Sequence, residues 1–554
     1  MPDHLKTDAE RGPDVLAASQ TDPSLPKGRS RFAFPSIGDL IFSALLLGLA
    51  TGPLSVSLLG DGGTGWHIRT GEWIWANHAV PRVDLFSSTM QGKPWYAWEW
   101  LYDAIVGALH RWAGLNGVVL FTACVIALTF SLVFGRMRAR GAQLPIAIVL
   151  LLVAFCASTV HLLARPHVVS WLLTVIWFWL LERFEDTGES SSLIWLPPIM
   201  VLWVNTHGGF LVGVILLALY WISEILAGII ADVTRQRNIS FARARRLFVC
   251  GLLTVLATLA NPYGYRLHTH IVQYLQDRFL MHHIQEFLAP DFHGVAQKCF
   301  AGLVLFGVVV AAVSRRRLPS RHALILLFAA ASGLYAIRNI PVSSMLIVMI
   351  SAPLLTITLE NFAAKRESEK RGMAARLDAF SVRMTRVDTT LRGHLWPVLI
   401  TLLAICICWK GGTLAGHRWM NAHFDEKQFP VLAADFLSAH SDERPVFTRD
   451  RWGGYLIYRL YPGVRVVADD RHDLYGSEFL KNYLKIMRAE SGWEPALESL
   501  HPGWVLVPVD SPLAGPVSKN ENWTMVHQDQ TAELFRRNNP EIQTGSLPYA
   551  VQQK

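Results

Sequence analysis

Asp61 stands in "LGDGGTGWHIR", directly after a run of apolar residues, so its carboxylate lies at the edge of an apolar medium. A carboxylate so placed is suited to taking a proton from a hydroxyl. Glu99, in "YAWEWL" between Trp98 and Trp100, is a second acid at such an edge. Four short punctuated turns between other apolar runs add to them: "ARPH" with Arg165 and His167, "NTHGG" with Asn205 and His207, "NPYGYR" with Asn261 and Tyr263, and "RNIP" with Arg338 and Asn339. His67 and Arg69 follow Asp61 closely. Arg165 and Arg338 suit a phosphate or pyrophosphate, because the guanidinium makes forked, charge-assisted hydrogen bonds. Each residue also has an ordinary role open to it. Asp-Gly-Gly is common turn chemistry, an acid at a helix start is favoured by the helix dipole, and arginines beside apolar surface reach out toward water or headgroups. His67, His167 and His207 form no compact motif with acids, so the sequence assigns no metal and requires no cofactor; a divalent ion is the weaker reading.

The chain that must position these groups has 554 residues, 51% of them hydrophobic and 17% charged, a balance that one soluble core of this size would not hide. Apolar runs of about 20 residues, some shorter, begin near Leu40, Leu115, Leu144, Val168, Leu193, Phe210, Leu247, Phe300, Ala323, Val342 and Leu395. They predict an all-α transmembrane bundle of about eleven helices. The net charge of +8 resides in short runs between the apolar segments, "RMRAR", "RQRNISFARARR", "SRRRLPSR" and "AAKRESEKR". These are topology signals and not a nucleic-acid surface. They place the N-terminus in the cytoplasm and the turns bearing Asp61, Arg165, His207 and Arg338 together on the outer side. Ionisable groups at that boundary are costly and are functional candidates by default.

Three regions follow from this topology: a polar cytoplasmic tail over 1–36, a transmembrane domain over 37–416 with a long first outer loop over 60–100, and an outer α/β domain over 417–554. The loop holds Trp66, Trp73, Trp75, Trp95, Trp98 and Trp100, which suggests short helices lying in the interface. In the tail, "PVFT", "VRVVAD", "WVLVPV" and "WTMVH" predict strands, while "FPVLAADFLSAH" and "SEFLKNYLKIMRAE" predict helices. The cluster Asp469, Asp470, Arg471, His472 and Asp473 reads as a solvated turn or a docking surface. The six cysteines have no metal-ligand spacing and predict no disulfide framework.

Asp61 after the first helix, the Trp-rich outer loop "WHIRTGEWI...VPRVDLFSSTMQGKPWYAWEWL", the many helices and the outer tail together resemble the GT-C superfamily of multi-pass glycosyltransferases. The loop is similar to that of bacterial members or relatives. Many members carry paired acids where this chain has a single Asp followed by glycines. The resemblance implies a polyprenyl-phosphate sugar donor and an envelope or lipid acceptor at the outer face of the bacterial inner membrane. It also implies Asp61 as general base and an arginine on the departing phosphate, Arg165 or Arg338 first and Arg69 next. A membrane scaffold for envelope polysaccharide is the alternative, its protein partners unspecified. A transporter ranks last, because the charges gather at the ends of the apolar runs and not deep within them.

Overall fold

The computed structural model describes residues 30–314, 317–365, 373–440 and 443–538. Most of the tail expected over 1–36, and part of the basic stretch near Lys370, lie outside them. All eleven apolar runs are helical: Ile37–Thr51 (α1), Trp100–Ala139 (α3), Leu144–Ser158 (α4), His167–Thr187 (α5), Leu196–Val204 (α6), Phe210–Ile230 (α7), Thr234–Ala257 (α8), Val295–Val313 (α9), Ser320–Tyr335 (α10), Ile340–Lys365 (α11) and Leu395–Trp409 (α12). In the loop after α1 the helix Gly63–Asn77 (α2) forms.

Among the described residues, seven helices are long and apolar enough to cross a membrane, and a pair bent by 67° that ends in α12 would make an eighth. The other runs fall short for separate reasons. Helix α6 has 9 residues, α10 has 16 without the flanking helical turns that lengthen α1 to Arg31–Thr51 and α4 to Leu144–His161, and the first half of α8 is the basic stretch from Thr234 to Arg246. At 1.5 Å per residue, about 20 residues are needed to span the hydrocarbon. The chain is nevertheless a multi-pass membrane bundle, with an α/β unit at its C-terminal end.

Local chemistry explains where several helices start and bend. Ser36 and Asp39 close a capping box at the start of α1. Pro145 and Pro197 occupy first-turn positions of α4 and α6, where a missing N–H costs nothing. Helix α3 breaks at Ala113 and Gly114, Gly114 at φ 61°. Its first segment therefore runs separately from the apolar span that begins at Leu115.

The C-terminal sheet has four strands, Val446–Thr448 (β1), Trp504–Pro508 (β2), Trp523–Gln528 (β3) and Ala532–Arg537 (β4), in the order β1-β2-β4-β3. Strands β1 and β2 are parallel, with Val446 opposite Trp504, and the other pairings are antiparallel. Phe447, Val505 and Phe535 pack with Tyr475 and Tyr483 on one face; the latter two belong to helix His472–Met487. The expected strand "VRVVAD" does not enter the sheet as a strand. Val466 instead bridges Val446 on one side and Ser87 of the first loop on the other, and Ser88 N–H donates to the Val466 carbonyl at 2.9 Å.

The tail is thus not a free-standing appendage. Helix Asp450–Leu460 lies along α2, and the Arg471 guanidinium is buried between Asp84 of the first loop and Asp469, at 2.7 Å from each. The boundary drawn at 417 separates residues that share one core. The tryptophans of the loop differ from expectation for the same reason. Trp66 and Trp95 are buried and surround Arg471 with Phe86, the guanidinium lying 4.6 Å from the Trp95 ring.

Candidate functional site

Helix α2 meets the first segment of α3 through glycines. A Cβ at Gly71 would run into the backbone of Asp103 and Gly107, and one at Gly107 into Gly71 and Glu72. With both positions bare, the helices approach closely enough for the residues one turn earlier to meet. Those residues are His67, four before Gly71, and Asp103, four before Gly107; Glu99 is one turn earlier again. His67 Nδ1 stands 2.6 Å from Asp103 Oδ1, and both side chains are buried. Glu99 lies at the cavity edge, 3.7 Å from His67 Nε2 and 3.8 Å from His207 Nε2.

Asp61 accepts the Gly63 N–H at 2.8 Å and Arg165 Nη1 at 3.1 Å, both on Oδ1. Arg165 also donates to Asp470 Oδ2 at 2.8 Å, and Trp66 Nε1 donates to Asp470 Oδ1 at 3.0 Å. Gly63 is required at this crossing, since a Cβ there would strike the Arg165 guanidinium and the Asp470 carboxylate. On the facing side Arg338 Nη1 and His161 Nε2 each stand 3.3 Å from Glu286, and the Arg338 guanidinium lies 4.6 Å from the Phe287 ring.

Both groups open on one cavity of about 800 Å³, partly solvent, which Asp61, Glu99, Arg165, His167, His207 and Arg338 all line. A second, mostly apolar space of about 1460 Å³, also partly solvent, adjoins it, walled by Trp171, Leu211, Ile271, Leu275, Phe287 and Phe328. Glu99, His161, His167, His207, Tyr274 and Arg338 border both.

Electrostatics divide these groups. Burial pushes the Glu99 carboxyl up to about 8, with Arg165 and Arg338 pulling the other way. Burial, the Asp61 charge and the Asp469 charge raise Asp470 to about 6 against Arg165. Burial also acts to raise Glu286, but Arg338 and His161 outweigh it and hold this carboxylate well below the usual range. Burial and then Arg338 push His207 down to about 3, so this imidazole is neutral. Among the described residues no three His, Cys, Asp or Glu side chains are grouped to hold a metal ion.

Not every residue singled out in the sequence arrives at the cavity. Arg69 is turned to the far side of α2, where it pairs with Glu72 at 2.7 Å and with the Tyr458 carbonyl, so it is no candidate for a departing phosphate. Its helix position, two residues past His67, points it to the tail helix instead. Asn205 ties elements together: it accepts from Trp100 Nε1 at 2.7 Å and donates to the carbonyls of Val201 and Ala260. His67 lies one layer behind the cavity wall.

Conversely, His161, Glu286, Asp470, Arg471 and Asp473 line the cavity although the sequence reading gave them no such place. His161 sits in "VHLLARPH", four residues before Arg165, a spacing that was legible. Asp470 and Asp473 belong to the cluster read as a solvated turn, and only the docking of the tail brings them inside.

No family model and no curated protein matches the sequence. Among solved structures the chain is similar to the oligosaccharyltransferase of Archaeoglobus fulgidus, crystallised with zinc and sulfate, at a TM-score of 0.48 and 12% identity, over 85% of this chain and 68% of that one. It is likewise similar to ArnT from Cupriavidus metallidurans bound to undecaprenyl phosphate, at a TM-score of 0.47 and 13% identity, over 90% of this chain and 97% of that one.

Proposed function

We propose that the chain is a membrane glycosyltransferase of the GT-C kind. It moves a sugar from a polyprenyl-phosphate carrier to an envelope or lipid acceptor at the outer face of the bacterial inner membrane, with its N-terminus cytoplasmic and its 417–554 region outside. The observation that carries the reading is the adjacency of two cavities with a shared wall. A polar space bearing Arg165 and Arg338 lies beside an apolar one, which suits a ligand with an anionic head and a long apolar chain.

In this reading the acceptor hydroxyl attacks the anomeric carbon as the bond from that carbon to the phosphate oxygen breaks, with inversion. Asp61 takes the hydroxyl proton. Its Oδ1 is occupied by Gly63 and Arg165, which fixes the carboxylate, while Oδ2 has no hydrogen-bond partner among the described residues. The phosphate leaves with its charge met by Arg338 or Arg165.

The test is sugar release by purified protein from a panel of polyprenyl-phosphate sugars, with the Asp61→Asn variant as control. Transfer from at least one donor by the wild type, lost in the variant, supports the reading. A wild type and variant that turn over donor equally would remove Asp61 from the chemistry. If no donor in the panel is used or bound, the scaffold reading takes its place.

A further inference from the structure

Behind Glu99 the polar side chains continue into a line that the transfer just described does not use. His67 and Asp103 are both fully buried, 2.6 Å apart. His67 Nε2 and the second oxygen of Asp103 have no hydrogen-bond partner among the described residues. Buried polar atoms are ordinarily paired, and exceptions call for an explanation. The atom His67 Nε2 faces is Glu99 Oε2, at 3.7 Å, a separation that one side-chain adjustment shortens to hydrogen-bond length; catalytic contacts are often long before ligand arrives.

The two histidines beside Glu99 differ in kind. His207 Nδ1 accepts the Gly209 N–H at 3.0 Å and stands 2.9 Å from Ser170 Oγ, which itself accepts from Trp203 Nε1. Neutral His207 therefore carries its proton on Nε2, toward Glu99, and is fixed there. His67 has a carboxyl group at each nitrogen, so its proton can stand on either side. Burial, then Arg165, holds this imidazole well below its usual range, so it does not keep both protons.

We propose that Asp103, His67 and Glu99 form a proton relay ending in the cavity, in which Asp103 acts as a positioning residue that sets, through His67, whether Glu99 meets an incoming phosphate as a carboxylate or as a neutral carboxyl. The proposal rests on the lipid-phosphate reading for the identity of that anion. Two arrangements contain the same atoms. In one, Asp103 is protonated and bonds His67 Nδ1, His67 Nε2–H points to Glu99, and Glu99 is charged. In the other, the Asp103 proton has passed to Nδ1, the Nε2 proton has passed to Glu99 Oε2, and Asp103 holds the charge. His67 is neutral in both, and no proton enters or leaves.

The relay answers a problem in the cavity. Asp61, Glu99, Asp103, Glu286, Asp470 and Asp473 reach its walls against Arg165, Arg338 and Arg471, an unfavourable balance for an anion. Moving the charge from Glu99 to Asp103, which also reaches the wall but is fully buried and one helical turn further along α3, lengthens its distance from an anion held beside Glu99. Glu99 is faced by His67 on α2, Asp103 on α3, His207 before α7, Arg165 before α5, Glu286 and Arg338 across the cavity, and Asp473 of the tail, and two carboxyls joined through an imidazole titrate as a unit.

Infrared spectra of the detergent-solubilised, ligand-free protein at neutral pH test the relay independently of any transfer. We expect a protonated-carboxyl band, read as the difference from the Glu99→Gln/Asp103→Asn double variant, that persists, shifted, in each single variant, because the proton settles on whichever acid remains. A band lost in one single variant and untouched in the other would place the proton on one acid alone and overturn the relay. Adding farnesyl phosphate to the wild type should shift the band toward its Asp103→Asn position. His67→Phe, which keeps ring bulk and breaks the line, should abolish that response while leaving the gel-filtration profile of the wild type. A response that survives in His67→Phe also overturns the relay, whereas failure of farnesyl phosphate to bind the wild type counts against the lipid-phosphate reading and leaves the ligand-free spectra to decide the relay.

Discussion

The molecule has two buried concentrations of charge, and they are built on opposite principles. Toward the end of the bundle that carries the basic loops, Glu182 receives Tyr220 Oη at 2.6 Å, Arg140 at 2.8 Å, His322 at 3.1 Å and Arg321 at 3.3 Å. Arg243 reaches Glu185 and Glu224 at 3.5 and 3.8 Å. Cations from several helices converge there on a few carboxylates and tie those helices together. In the cavity near Asp61 the carboxylates outnumber the arginines, and His67 Nε2 and the far oxygen of Asp103 are left without hydrogen-bond partners among the described residues. The two differ in charge balance and not in unused bonding capacity, since Glu185 Oε1 of the first cluster is also without a hydrogen-bond partner among the described residues.

That contrast is tested first by Asp61→Asn, which keeps shape and hydrogen bonding but removes basicity. Transfer should fall about 10²- to 10⁴-fold, with the thermal unfolding midpoint in detergent unchanged. Glu182→Gln should do the reverse. Leaving Arg140, Arg321 and His322 without their charge partner costs on the order of 3 kcal/mol, read as a lowered midpoint with donor turnover per folded molecule retained. An Asp61 variant that unfolds, or a Glu182 variant that folds normally but fails in transfer, would erase the distinction.

Arg338→Lys is expected to have a smaller effect, about tenfold in kcat/KM and mostly in KM, because the ammonium keeps charge without the planar fork. Steady-state kinetics over a range of donor concentrations measure it. Glu99→Gln supplies the finest comparison, through pH. Burial raises the folded pKa of Glu99 to about 8 from its ordinary value of 4.5, so the folded state binds the proton more tightly than the unfolded one. Its contribution to stability is fullest below the unfolded value and is lost as pH rises toward 8. The variant removes that loss. Its unfolding midpoint should therefore exceed that of the wild type more at pH 8 than at pH 5, by differential scanning fluorimetry; an equal difference at both would show that Glu99 is ionised throughout.

Apolar periodicity made the bundle legible, because a membrane span must be a long apolar helix. Asp61, Glu99, Arg165, His167, His207 and Arg338 were legible as site candidates for a related reason: each is a polar group beside an apolar run, where its presence needs explaining. Arg69 shares that position in sequence but lies on the other side of its helix. Its neighbour there is the Tyr458 carbonyl. Asp103 could have been found, since Glu99, Asp103 and Gly107 recur every four residues. Asp470 and Glu286 could not. Their place depends on the docking of the tail and on the course of the segment between α8 and α9, which neither propensity nor spacing fixes.

Asp470 also bears on the order in which the protein is made. Synthesis runs from the N-terminus, so α1 and its loop, with Asp61 and Gly63, are in place long before the residue that shares Arg165 with them. A nascent chain has finished its bundle by Trp409, yet Arg165 then has one of its two carboxylates and Asp84 lacks the arginine that neutralises it. The wall of the cavity closes only when the stretch from Val466 to Asp473 folds down on the loop. A chain that ends before Val466 would hold every apolar helix named above yet lack Asp470 and Arg471, leaving Arg165 and Asp84 each short of a partner and the cavity open on that side.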